Sequence, residues 1–142
     1  MFKFKNIHLD DATMWPDKAK IELEESFEDD RGYILDILYK ESFNHSTLIY
    51  SKKNSIRGNH FHKKTTQITF VISGEVEYFY KENHNNKKKK VLLKRNSFLL
   101  TKPFEIHAYK FLKNTKMLIF SKGLRGGADY EKDTYRMKKK LI

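Results

Sequence analysis

The 142-residue chain contains no cysteine, so no disulfide can staple the fold and no thiolate can serve as a metal ligand or nucleophile. That suits a reducing compartment. Long apolar runs are also missing: no segment approaches the ~18 residues needed to cross a bilayer. The N-terminus, MFKFKNIHLDDATMWPDK, has no apolar stretch followed by a small-residue cleavage site, so the expectation is a soluble cytoplasmic protein. No long amphipathic helix with a 3.6-residue period is evident, apart from a short candidate in Tyr130 to Lys140. With neither an internal repeat nor a linker, a second domain is not expected.

What is present is enough for one core. Eleven Phe and eight Tyr within a 39% apolar composition supply large side chains, and the length fits one domain. The expected division is an N-terminal extension over 1–26, a barrel over 27–122 and a tail over 123–142. Net charge is +11, from 29 Lys and Arg against 18 Asp and Glu, so the molecule should attract anions at long range. The densest basic runs, Lys87 to Lys90 and Lys138 to Lys140, read as a solvated hairpin tip and a solvated terminus. They are not interleaved with exposed aromatics in a nucleic-acid-binding motif. By charge alone nucleic acid, an anionic membrane and phosphorylated metabolites all qualify as partners; the expectation taken forward is a small-molecule substrate, with neither nucleic acid nor membrane.

From Gly32 onward the pattern is of short β-rich runs: 32–39, 46–51, 67–73, 75–81, 90–94, 97–101, 106–112 and 116–121. Val76, Tyr78 and Tyr80 alternate with Glu75, Glu77 and Lys81, the period of a half-buried antiparallel strand. Strands this short and this closely spaced, with polar or Gly turns, imply an all-β sandwich or barrel.

The sharpest chemical feature is Arg57-Gly58-Asn59-His60-Phe61-His62-Lys63, followed by Gln67 and Gly74. On a strand, residues two apart face the same way, so His60 and His62 share one side and Phe61 takes the other. Paired imidazoles inside a barrel can hold a proton near neutral pH or bind a metal. Burying two titratable rings on one apolar face is costly without a purpose. Gln67 projects toward the same space, and His107, after Pro103, is a third candidate. His8, His45 and His84 read as exposed or structural. Of the tyrosines, Tyr50 and Tyr109 stand out because they flank the histidine runs.

These residues resemble the two cupin motifs: Gly58, His60, His62, Gln67 and Gly74 for the first, Pro103 and His107 for the second. Phe27-Glu28-Asp29-Asp30-Arg31-Gly32 and Arg57-Gly58 resemble the RmlC-like dTDP-4-dehydrorhamnose 3,5-epimerases. Closer still is the resemblance to the dTDP-6-deoxy-hexose 3,4-ketoisomerases, short WxcM-like cupins with the pattern Arg-Gly-x-His-x-His-Lys and a following Gln. It is matched at Arg57, Gly58, His60, His62, Lys63 and Gln67, and Ala128-Asp129-Tyr130 resembles their C-terminal Ala-Asp-Tyr. The chain departs from the pattern at Asn96, at Pro103-Phe104-Glu105 and at Gly123-Leu124-Arg125-Gly126-Gly127.

The resemblance implies a single-domain cupin, a double-stranded β-helix or jelly-roll barrel. It implies isomerisation of a dTDP-4-keto-6-deoxyhexose for surface polysaccharide sugars, with His60, His62 and Tyr50 catalytic. Arg31, Arg57, Gln67, His107 and Tyr109 would bind substrate. Metal-binding cupins usually place a carboxylate where this chain has Gln67, and a neutral amide is a weaker ligand for hard cations. No cofactor is therefore expected. The alternative is a divalent metal ion on His60, His62, Gln67 and His107. Two other readings are a 3,5-epimerase of a dTDP-4-keto sugar and a non-catalytic sugar- or metal-binding cupin. A homodimer paired through sheet edges is expected, with the first 26 residues supplying an exchanged or capping strand.

Overall fold

The alternation of large apolar and polar residues is satisfied by strands that each turn one face inward. In the computed structural model, which describes residues 20–22, 27–38, 41–82 and 86–142, these are β1 (Lys20–Glu22), β2 (Phe27–Asp29), β3 (Gly32–Ile34), β4 (His45–Ser51), β5 (Ile56–Phe61), β6 (Thr66–Ser73), β7 (Glu75–Glu82), β8 (Lys89–Lys94), β9 (Ser97–Thr101), β10 (Glu105–Phe111), β11 (Thr115–Lys122) and β12 (Tyr135–Arg136). They form one five-stranded sheet in the order β1-β9-β6-β11-β4, a second in the order β12-β5-β10-β7-β8, and a separate β2-β3 hairpin. All pairings are antiparallel. No described helix is long and apolar enough to cross a membrane.

The inner faces of the two sheets meet in one core. Val71, Leu99, Met117 and Ile119 come from the first sheet, and Val76, Tyr78, Leu93, Tyr109 and Phe111 from the second. This is the all-β jelly roll of the cupin fold. A second cluster, Ile68, Phe98 and Leu100, lies on the outer side of the first sheet, where Ile37, Leu38 and Phe120 pack against it. That cover corrects one expected strand. The run 32–39 is extended in β3 only as far as Ile34, and 35–38 is irregular chain laid over the sheet. Tyr39 lies outside the described residues. An apolar segment that caps a sheet has the same composition as a strand within it.

The expected division is also redrawn, because β1 pairs with β9 and β12 pairs with β5. Segments assigned to extension and tail therefore belong to the sheets. Residues 1–19 and 23–26, including His8 and most of the expected capping strand, lie outside the described residues, as does His84.

The short helix sought in Tyr130 to Lys140 does not form. A one-turn 3-10 helix at Gly127–Asp129 is followed by a turn and by β12. Tertiary contacts outweigh local helix preference there. The Asp133 carboxylate accepts from the Lys63 and Lys64 amides and the Thr65 hydroxyl, and Asn59 Oδ1 accepts from the Leu141 and Ile142 amides. The tail is thus folded back along β5.

Candidate active site

β5 and β10 bring His60 directly opposite His107, and the register then slips between His107 and Ala108, so that Asn59 is an extra residue on β5. Such a bulge bends a strand and re-aims the side chain beyond it. His62 follows immediately after β5. Its ring centroid is 4.9 Å from that of His60 and 5.5 Å from that of His107, with His60 and His107 4.7 Å apart. One ring nitrogen from each of the three falls within 4.8 Å of the others. Phe61 turns to the opposite side and stacks on Tyr135 and Phe104.

Close approach of β5 and β10 needs Gly58, whose φ is +91°. A Cβ there would lie 2.8 Å from the His107 carbonyl oxygen and 3.1 Å from Ala108 Cα. Backbone cannot yield as a flexible side chain would. Gly58→Ala is expected to cost about 2–3 kcal/mol through strain and lost pairing and to part His60 from His107. Chemical denaturation measures the first effect, and histidine ring NMR shifts the second. Unchanged shifts would show that the register does not depend on Gly58.

Two of the three imidazoles have one nitrogen fixed by a backbone carbonyl. His62 Nδ1 donates to the Asp133 carbonyl oxygen at 2.7 Å. Since a carbonyl can only accept, Nδ1 carries the proton and Nε2 keeps its lone pair. That Nε2 is buried and makes no hydrogen bond of normal geometry, though the Gln67 amide lies near enough to pull the ring's proton affinity upward. His107 Nδ1 likewise donates to the Glu105 carbonyl oxygen at 3.0 Å. The Phe104 amide donates to the His62 carbonyl oxygen at 2.6 Å, tying the β9-β10 turn to the site.

Burial pushes His60 down to about 3, reinforced by the charges of His62, Arg125 and Arg136 and opposed by Glu131. His62 is also held below the usual histidine range. Burial is the main cause there, against which the hydrogen bond to Asp133 pulls upward. Both rings are therefore neutral bases at pH 7.

These depressed values link stability to pH. Between the ordinary histidine value of 6.5 and about 3, the unfolded chain binds a proton at His60 that the folded chain refuses. Stability is complete above 6.5 and is lost as pH falls. The slope reaches about 1.4 kcal/mol per pH unit for each such imidazole. Urea unfolding between pH 7 and 4.5 should show a declining midpoint, flattened in His60→Gln. An equal decline in wild type and variant would overturn the assignment.

Aromatic and acidic side chains support the histidines from below. Tyr78, fully buried, stacks at 5.9 Å on His107 and donates to Glu105 Oε1 at 2.5 Å, and its oxygen lies 2.7 Å from Thr101 Oγ1. Tyr109 meets His107 edge-on at 6.1 Å, and its hydroxyl shares a 2.8 Å hydrogen bond with Thr69. Burial raises Tyr78 well above the usual phenol range and Tyr109 to about 12. Neither supplies a phenolate at neutral pH.

Of the residues singled out in the sequence, the structure brings together His60, His62, His107, Gln67 and Tyr109. Gln67 is 2% exposed and interacts with the His62 side chain. Three others are not brought there. Tyr50 alternates to the outer face of edge strand β4 and is 49% exposed, while its neighbour Ile49 packs on the core. Its catalytic assignment is therefore corrected. Arg31 sits in the β2-β3 turn, 81% exposed and closed on Asp29. The adjoining Tyr33 bonds Arg95 in the β8-β9 turn, at the end of the strands away from Gln67, Thr101 and His107. Arg57 lies opposite Tyr109 in register, but its guanidinium turns to the Ser51 hydroxyl at 2.8 Å and the Tyr50 carbonyl. It closes the seam between β5 and β4 and does not line the histidine cluster.

Four residues that bear on the histidines carried too little local signal to be found. Asp133 is one acid among charges, Glu105 looks like a turn residue, and Tyr78 reads as core. Arg125 was visible only as a departure from the resemblance.

The family model described as FdtA: WxcM-like, C-terminal matches residues 17–141. No curated protein sequence matches. Among solved structures, a 3,4-ketoisomerase from Helicobacter canadensis is similar at TM-score 0.72 and 20% identity, covering 85% of this chain and 91% of that one. QdtA, a sugar 3,4-ketoisomerase from Thermoanaerobacterium thermosaccharolyticum in complex with TDP, is similar at TM-score 0.71 and 20% identity, covering 85% and 88%. A dTDP-4-dehydrorhamnose 3,5-epimerase from Sulfolobus tokodaii is similar at TM-score 0.64 and 19% identity, covering 78% and 71%. At these identities the likeness is one of fold.

Proposed function

The chain belongs to the FdtA, WxcM-like C-terminal family, and from that membership we propose that it is a nucleotide-sugar isomerase that moves the ketone of a dTDP-4-keto-6-deoxyhexose from C4 to C3. The observation that carries the reading is His62 Nε2, a buried lone pair with no hydrogen bond of normal geometry, on a ring whose other nitrogen is held by Asp133. Solved structures of the same fold include 3,4-ketoisomerases. The +11 net charge suits a nucleoside diphosphate.

In the proposed reaction, His62 Nε2 takes the proton from C3. The C3–H electrons form the C3–C4 double bond, and the carbonyl electrons move onto the C4 oxygen. The C3 hydroxyl then loses its proton, the C4 oxygen gains one, and the proton held on His62 returns to C4. Atoms and electrons balance without an external reductant. An imidazole that is neutral at pH 7 has its lone pair available to take a proton and, once protonated in a buried site, gives it back readily. His60, beside it, relays protons between the oxygens.

The proposed proton transfers use no metal, although His60, His62 and His107, offering one nitrogen each, are residues that could hold a zinc-like divalent ion. The candidate ligands are neutral imidazoles and the Gln67 amide, and the Arg125 guanidinium bears on both His60 and His62. A fixed cation beside the ligands opposes binding of a dication. We derive no step through a metal.

The test is proton NMR of metal-stripped protein with dTDP-4-keto-6-deoxyglucose in heavy water. A 3-keto product carrying ring deuterium is the expected result. Deuterium at C3 and C5 with the ketone still at C4 would replace this reading with epimerisation. No exchange would replace it with a binding role.

A further inference from the structure

We infer that Arg125, together with Gln67 and Ser121, forms an oxyanion site that holds the vicinal oxygens of the sugar as they pass through an enediolate. This rests on the isomerase reading for its substrate but not for its anion chemistry.

Buried polar atoms are nearly always paired, so those left unpaired point to what is meant to fill the space. Among the described residues such side-chain atoms are His62 Nε2, Gln67 Nε2, Ser121 Oγ and Arg125 NH1. They belong to one place. Ser121 and Gln67 are register partners on β11 and β6, each at most 2% exposed. Gly126, next to Arg125, lies against the His45 ring, and His45 is the register partner of Ser121 on β4, which sets the Arg125 loop beside Ser121. The Arg125 charge bears on His60, His62 and Tyr109, and Gln67 on His62.

The chemistry of the four atoms is complementary to one kind of ligand. A guanidinium N–H and an amide N–H can only donate, a hydroxyl can donate, and the His62 lone pair can only accept. Three donors and one acceptor suit a carbon acid, which presents oxygens that gain charge and a C–H that loses its proton. A diphosphate fits less well, since it has nothing to offer the lone pair. Donors fixed in advance where charge develops are the usual source of large rate effects.

Arg125 is held as such a donor must be. Its guanidinium carbon lies 4.5 Å from the centre of the Tyr130 ring. The loop is pinned before it by Asn44, whose side chain exchanges hydrogen bonds with the Gly123 carbonyl and amide at 2.8 and 3.2 Å. After it, Gly126 at φ +93° presses on the His45 ring, where a Cβ would come within 2.4 Å. The Gly-Leu-Arg-Gly-Gly stretch that departs from the resembled pattern is thereby a rigid mount for one cation.

The experiment compares wild type with Arg125→Met and Arg125→Lys in two assays, after thermal unfolding confirms that each variant folds. Oxalate, a planar dianion resembling an enediolate, is titrated by calorimetry. Turnover of dTDP-4-keto-6-deoxyglucose is followed by NMR. Wild type is expected to bind oxalate at least tenfold more tightly than Arg125→Met. Turnover is expected to fall on the order of 10²-fold in kcat with little change in KM, with Arg125→Lys intermediate. Wild-type turnover without oxalate binding, or oxalate binding equal in wild type and Arg125→Met, would overturn the inference. So would turnover of Arg125→Met within a few-fold of wild type. If wild type binds oxalate through Arg125 yet leaves the sugar unchanged, the oxyanion site stands and the isomerase reading falls.

Discussion

His62→Asn is expected to lower turnover of the keto sugar by roughly 10³-fold or more while leaving the folded structure intact. Asparagine is neutral, smaller than histidine, and offers an amide N–H toward the Asp133 carbonyl that now accepts from Nδ1. What it lacks is a nitrogen that can take a proton. If the loss came from packing, the thermal midpoint would fall with activity. If it comes from chemistry, the midpoint stays near that of wild type and deuterium no longer enters C4 of a 3-keto product. His60→Asn makes the comparison sharper. With its proton affinity pushed down to about 3, His60 is the weaker base, and its removal should cost less than that of His62. A greater loss in His60→Asn than in His62→Asn would transfer the role of base to His60.

The barrel was legible because its strands are built from alternation that burial enforces. Val76, Tyr78 and Tyr80 face inward where Glu75 and Glu77 face out, and the register follows from that period. The histidine cluster was legible for the same reason, since spacing of two on a strand sets His60 and His62 on one side. Other features lie beyond local pattern. Arg57 stands in the motif yet bonds Ser51, because a guanidinium on a long stem can turn to whichever neighbour the sheets supply. Tyr50 was one residue out of phase: its face is decided by the inward packing of Ile49. Asp133 lies 71 positions from His62 in the chain, and only the return of the tail along β5 places them in contact.

That return makes Asp133→Ala the second large effect. The carboxylate accepts from the Lys63 amide at 2.9 Å, the Lys64 amide at 3.0 Å and the fully buried Thr65 hydroxyl at 2.7 Å. Burial alone would raise this acid, but those donors outweigh it and hold it below the usual carboxylate range. Removing the acceptor leaves three donors facing a void, at a cost of about 3–4 kcal/mol. A drop of about 10 °C in thermal midpoint follows for a chain of this size. Activity should fall as well, by about 10²-fold, although the Asp133 side chain is a positioning group and touches no reacting atom in the proposed mechanism. The carbonyl that orients His62 belongs to the same residue, so loosening the carboxylate loosens the imidazole. Asp133→Asn keeps one oxygen to accept from these donors and should recover part of both losses together. Thr65→Val removes one donor and one bond, and is expected to cost stability while sparing most of kcat. If Asp133→Ala lost stability but kept wild-type kcat, the carbonyl would be shown to hold His62 unaided. The tail would then be a clamp on the fold rather than part of the site.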